Sequence, residues 1–259
     1  MKLWLCRSLF VVWTVSFLTG CFSLPRVEFP SDALPLANSE ARCETLTSPD
    51  QELQSLRALL DVTLRYGDEV GSLRYAVIAR QPDSFRVDLL PDSGAFTLGM
   101  LVTNAGVTTI LDAQEKSFIR GRDEAALIDT FLRIPGFSRD VVIGIVSGVL
   151  PKQLCDRVTI RTRPNGEYLI EDNARSVVWH FDSLTRTVSG VTGVTGEGSL
   201  MRYYAERSNY EGDLPSISLR LYDPVEATVR MDVRKLVINP KLGDQLFRVT
   251  IPGGYQDRS

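Results

Sequence analysis

The sequence predicts a mainly β domain: one large, strongly curved antiparallel sheet of about ten strands, with two or three short helices over its concave face. Three observations predict it. Apolar and polar residues alternate with a period of two along many segments. Turn-forming clusters separate those segments, so successive strands fold back as hairpins. Helical spacing is confined to a short stretch near residue 50 and to the middle of the chain, so cover for the sheet is scarce.

The N-terminus reads as an export signal. Lys2 and Arg7 supply positive charge, and an apolar stretch runs from Leu9 to Leu18, broken by Thr14 and Ser16. That stretch is too short for a spanning helix, which needs roughly 20 residues. Leu18-Thr19-Gly20-Cys21 closes it and resembles the bacterial lipobox, in which the thiol takes a diacylglycerol and the signal is cut before the cysteine. Residues 1–20 are therefore expected to be a signal peptide and Cys21 a lipidated anchor. Two or three acyl chains anchor stably, since each buried methylene contributes about 0.8 kcal/mol.

Loss of residues 1–20 removes two cations and no acid, taking the formal net charge from −3 to −5. An acidic surface argues against nucleic acid as a partner, and no polybasic patch addresses anionic headgroups. Of four cysteines, Cys6 leaves with the signal and Cys21 carries lipid. Cys43 and Cys155 remain as one candidate disulfide in an oxidising compartment. The bond requires the fold to bring their Cα atoms within about 7 Å.

Residues 21–47 contain Pro25, Pro30 and Pro35 and few periodic apolar positions, which predicts an extended tether. Residues 48–259 are then one domain, long enough for a sizeable core. Ser48-Pro49-Asp50-Gln51 predicts a short helix start, with Leu53 and Leu56 facing inward. Strand alternation follows at Ala58 to Tyr66, Leu73 to Ala79, Phe85 to Leu89, Phe96 to Val102, Ile217 to Leu221 and Val225 to Val233. Pro91-Asp92-Ser93-Gly94 and Asn165-Gly166 read as hairpin turns. Between the two runs of strands, Leu127, Ile128, Phe131 and Leu132 have helical spacing over Arg122 to Arg133. Ser138 is placed to cap a second helix carrying Val141, Val142, Ile145 and Val146, which Gly144, Gly148 and Pro151 weaken or end.

Chemistry-bearing patterns are sparse. His180 is the single histidine, with no His or Cys at ligand spacing, so no metal site is expected. Ile145-Val146-Ser147-Gly148 lacks the first glycine of a serine elbow, which leaves Ser147 as a helix-end residue. Gly193, Gly196 and Gly198 are followed by no phosphate-binding lysine and read as a hairpin tip. Asp123 and Glu124 sit at a helix start, where the dipole favours them. The expectation is a protein without catalytic residues or cofactor.

Three local motifs carry a resemblance: Pro82-Asp83-Ser84-Phe85-Arg86-Val87-Asp88, Ile134-Pro135-Gly136, and the ending Asn239-Pro240 with Gln245-Leu246-Phe247-Arg248-Val249 and Pro252-Gly253. With the order of signal, strands, midchain helices and final strands, residues 48–253 resemble the LolA/LolB-like family of periplasmic lipoprotein carriers. The resemblance implies an incomplete antiparallel barrel with a helical lid over an apolar cavity that shelters acyl chains. A lipidated member resembles the LolB-like outer-membrane acceptor, facing the periplasm and receiving lipoproteins from a periplasmic carrier protein. Phe22 stands where, in enterobacterial-type sorting, Asp would retain a lipoprotein in the inner membrane. Alternation puts Leu60, Val62, Val77, Val87, Leu98, Met100, Phe131 and Val229 on the cavity wall. The alternative is a non-enzymatic envelope scaffold, an accessory lipoprotein of an outer-membrane or secretion assembly.

Overall fold

The computed structural model describes residues 29–47, 52–91, 96–132, 137–151, 154–155, 158–172, 177–195, 201–208, 214–222 and 227–259. Cys21 and the signal, the Ser48 helix start, most of the Pro91 turn, the Ile134 motif, Gly196, Gly198 and Val225 lie outside the described residues.

Consecutive hairpins build the first half of a sheet: β2 Ser55–Tyr66, β3 Glu69–Arg80, β4 Ser84–Leu90, β5 Gly99–Asn104, β6 Val107–Asp112 and β7 Ser117–Gly121. Helices α2 Glu124–Leu132 and α3 Arg139–Ser147 follow. A second meander then runs through β8 Val158–Thr162, β9 Glu167–Asp172, β10 Val177–Asp182, β11 Thr187–Thr195, β12 Met201–Ser208, β13 Ser216–Tyr222 and β14 Ala227–Ile238. The two halves join where β14 pairs antiparallel with β2 along nearly their full lengths, with one irregularity between Val233 and Lys235. The sheet is open, ending at β1 Leu34–Pro35 beside β8 and at β15 Gln256–Asp257 beside β7. Both ends are two-residue strands, which leaves little exposed edge for unwanted pairing.

Among the described residues fifteen strands form where alternation predicts about ten. The uncounted ones are mostly short, and some inward positions are polar. Thr103 and Thr108 are buried opposite each other on β5 and β6, and their hydroxyls are 2.9 Å apart, bonded to each other. A buried threonine pair breaks the apolar pattern without breaking the strand.

The N-terminal expectations need two corrections. No helix includes residues 52–54, and β2 already runs through Leu56, which is fully buried. The strand starts there because Asn239 clamps it. That residue ends β14 with φ 54°, and its Oδ1 accepts the N–H groups of Gln54 and Ser55 at 2.8 and 3.1 Å. Its Nδ2 donates to the Glu52 carbonyl. Asparagine tolerates that left-handed conformation better than most residues.

Nor are residues 29–47 an extended tether: Leu34–Pro35 pairs with β8, and α1 Ser39–Leu46 packs nearby. Helix α1 has no apolar stripe, and only Cys43 and Leu46 of it are buried. So short a helix is marginal alone, and its hold is local. Ser39 Oγ accepts the Ile160 N–H at 3.1 Å, and Cys43 is disulfide-bonded to Cys155.

Helix α3 is seated deeply. Ser138 caps it, accepting the Val141 N–H, and Gly148 ends it at φ 77°. Every residue from Asp140 to Ser147 is buried. Gly144 faces Trp179 of β10 so closely that a Cβ would lie 2.5 Å from the indole. Helix α2 is seated lightly, with Ile128 its one fully buried residue. Outside the sheet, the segment after β14 crosses β3 to β5. Phe247 packs on Ile78 and Val102, Asp244 pairs with Arg80, and Arg86 donates to the Leu246 carbonyl at 3.0 Å while paired with Asp88.

Two predictions test these anchors. Replacing both Cys43 and Cys155 by Ser is expected to lower unfolding free energy by about 2–4 kcal/mol, since the bond closes a long loop. Urea midpoints measure it, and amide exchange should show residues 39–46 losing protection first. Gly144→Ala should destabilise by about 1–3 kcal/mol through overpacking against Trp179, despite the better helix propensity of alanine.

Candidate functional site: an unfilled apolar cavity

The two halves of the sheet treat their concave faces differently. In the second half the space is filled: Trp179, Phe181, Val188, Val191, Ala205 and Leu219 are essentially inaccessible. In the first half, a cavity of about 570 Å³ lies between β2–β7, the adjoining β14, and helices α2 and α3. That volume falls within the roughly 300–1,000 Å³ of small-molecule sites.

Alternation explains most of the wall. Leu60 and Val62 on β2, Val77 on β3, Val87 on β4 and Val229 on β14 line the cavity. Their registers coincide: Val77 opposes both Ala58 and Val87, and Val229 opposes Leu64. Phe131 enters from α2, beside Gly99, where a Cβ would lie 3.5 Å from its ring. Leu98 also lines the wall, from a bend just ahead of β5.

Met100 does not. Strand β5 opens at Gly99, and Leu101, opposite Val87, is the inward residue. Met100 therefore faces out, packing with the cluster around Phe247. The expected set Phe96, Leu98, Met100, Val102 assumed an unbroken strand. The bend shifts the register by one residue, which exchanges faces; Val102 is outward too, and Phe96 is exposed.

The wall also includes Tyr75, Ile110, Phe137, Ile145 and Met231, which sequence reasoning did not assign to it. Met231 and Ile145 had the right periodicity. Phe137 follows a segment without a pattern, and Ile110 lies in a strand hidden by its threonines.

One end of the cavity, its mouth, coincides with the β2–β3 and β6–β7 hairpin ends of the sheet. On one side stand Leu64 and Leu73, 42% and 39% exposed. On the other stand Asp112, Gln114 and Glu115 of the β6–β7 turn and Arg258 beyond β15. Asp112 Oδ1 shapes that turn by accepting the N–H groups of Gln114 and Glu115, each at 2.9 Å. Arg258 forms a salt bridge with Glu115. Nothing in the sequence links these residues, because the pairing joins the chain's end to a turn more than a hundred residues earlier.

The remaining chemistry-bearing residues lie away from the cavity wall. His180 sits on β10 between Glu167 Oε1 at 3.2 Å and Thr192 Oγ1 at 2.8 Å, edge-on to Tyr204. The His180 ring, together with Arg163, holds the Glu167 carboxyl below the ordinary glutamate range. Ser147 Oγ accepts the Val149 N–H at the end of α3, and Asp123 accepts the Ala126 N–H at the start of α2. Among the described residues, no group of three or more His, Cys, Asp or Glu is placed to hold a metal. None of their helices is long and apolar enough to cross a membrane.

Solved structures share this architecture. A DUF1329 family protein from Desulfovibrio piger superposes with TM-score 0.54 at 11% identity, covering 81% of this chain and 94% of that one. A LolA superfamily protein from Nitrosomonas europaea gives 0.52 at 11%, covering 82% and 99%. The fold is LolA-like. A candidate outer membrane lipoprotein-sorting protein domain from Vibrio parahaemolyticus gives 0.52 at 10%, covering 80% and 94%. No protein-family model and no curated protein sequence matches the chain. At such identities the likeness concerns the fold, and the LolA-like fold is reached here with an open cavity in its first half.

The contrast between halves predicts opposite responses to added bulk. Val62→Phe, on the cavity wall, should change stability by less than about 1 kcal/mol because its ring has space. Ala205→Phe, in the filled half, should cost about 3 kcal/mol or more, or prevent folding. Urea denaturation of the pair reads the difference.

Proposed function

We propose that this chain is a lipid-anchored envelope protein that shelters acyl chains, of lipids or of lipoproteins, in its cavity. The unfilled apolar space under a lightly seated helix carries the reading. An acyl chain leaving water for that space gains the full hydrophobic transfer, and no covalent step is needed. Helix α2 contributes Phe131 and Leu132 to the cavity wall and has a single fully buried residue, Ile128, where α3 has eight buried in a row. The solved neighbours named for the LolA superfamily and for lipoprotein sorting support a role in lipoprotein or lipid transfer.

In this reading Cys21 carries the lipid anchor, the domain faces the periplasm from the outer membrane, and clients arrive from a periplasmic carrier protein. The chain acts by binding and release rather than as an enzyme.

The test is titration of the secreted chain carrying Cys21→Ser with a fluorescent fatty acid. Saturable uptake near one site per chain is expected. Phe131→Asp or Leu98→Asp should weaken it by tenfold or more, because an acid on an apolar wall must be desolvated by the ligand at about 1.4 kcal/mol or above. Absence of uptake by the folded chain would reject the carrier reading in favour of an envelope scaffold, to be pursued by its protein partners.

A further inference from the structure

We propose that the cavity mouth is a head-group site, and that the amphiphile it takes has a zwitterionic head, an anionic group beside an ammonium. The proposal rests on the acyl-binding reading and adds to it the chemistry of the head. The mouth is divided into an apolar side, Leu64 and Leu73, and a polar side, Asp112, Gln114, Glu115 and Arg258. A ligand with its chain inside must leave its head at this division, against the polar side.

That side is built, with its parts held by backbone. Asp112 is committed to the turn, accepting two N–H groups. The C-terminal strand is stitched to β7: Gln256 N–H donates to the Lys116 carbonyl and Arg258 N–H to the Phe118 carbonyl, both at 2.9 Å. Arg258 thereby reaches the mouth from the far end of the chain. Its guanidinium and the Glu115 carboxylate pair with each other. Both side chains are about half exposed, 51% and 56%, so the pair is inexpensive to separate.

Charge balance selects the head. A purely anionic head on Arg258 would leave Glu115 without its cation and close to the incoming negative charge. A purely cationic head on Glu115 would strand Arg258 in the same way. A neutral head gains little from either. A zwitterion inserted between them gives Arg258 an anionic partner and Glu115 an ammonium, so one exposed pair becomes two. A phosphoethanolamine group has this pattern, and its phosphate offers arginine a bidentate acceptor.

The experiment uses three lipids with one identical acyl chain: lysophosphatidylethanolamine, lysophosphatidic acid and a monoacylglycerol. Each displaces a fluorescent acyl probe from the secreted chain carrying Cys21→Ser. The zwitterionic lipid should bind roughly fivefold tighter than the neutral one, in line with exposed ion pairs. Arg258→Gln and Glu115→Gln should each abolish that difference, and urea midpoints close to that of the unmodified protein report that the variants are folded. Equal affinities in the unmodified protein, a preference for lysophosphatidic acid, or a preference that survives both substitutions would overturn the head-group proposal and leave the cavity reading intact. No displacement by any of the three would remove both.

Discussion

A sheet with one apolar face has to cover that face, and among the described residues two nine-residue helices lie over it. The rest of the architecture follows from that shortage. Fifteen strands curl so that the sheet covers much of itself, and α3 fills one half of the trough completely. Glycine at position 144 lets the helix backbone settle onto Trp179, closing that half as a dry core. The other half is covered by α2 and one face of α3, which together do not fill it. The cavity is what remains when sheet curvature exceeds the available cover.

The seam between β2 and β14 holds the curl. Its ladder runs along nearly the full length of both strands and joins strands far apart in the sequence. Asn239 secures one end of it through both side-chain amide atoms. From there the final segment wraps the outer face over β3 to β5, where Phe247, Asp244 and the Leu246 carbonyl engage Ile78, Arg80 and Arg86. It then closes beside β7 and presents Arg258 at the cavity mouth. Two motifs that carry the resemblance, at residues 82–88 and 239–253, thus meet where Arg86 donates to the Leu246 carbonyl.

The same shortage of cover suits a binding protein. A filled core is rigid because every atom has a partner. A half-filled one retains apolar surface that a ligand can satisfy. Tight packing around α3 keeps the sheet's curvature fixed while the first half remains adaptable. Division of labour between the two helices therefore places the filled core and the cavity in different parts of one continuous sheet.

Period-two alternation determined the fold class, because a strand buried on one face has to repeat every second residue whatever its neighbours are. Capping chemistry and helical spacing likewise located α2 and α3. Those patterns put Leu60, Val62, Val77, Val87 and Val229 on one face before any pairing was known. Decisions made between distant residues were not legible. Alternation fixes faces only within an unbroken strand, so the bend before Gly99 moved Met100 outward. Local propensity favoured a helix carrying Leu53 and Leu56, but the clamp by Asn239, nearly two hundred residues away, starts a strand at Ser55. Whether the trough was filled, whether Cys43 met Cys155, and where Arg258 came to rest were all settled by tertiary packing, since each depends on how far the sheet curls before its two halves meet.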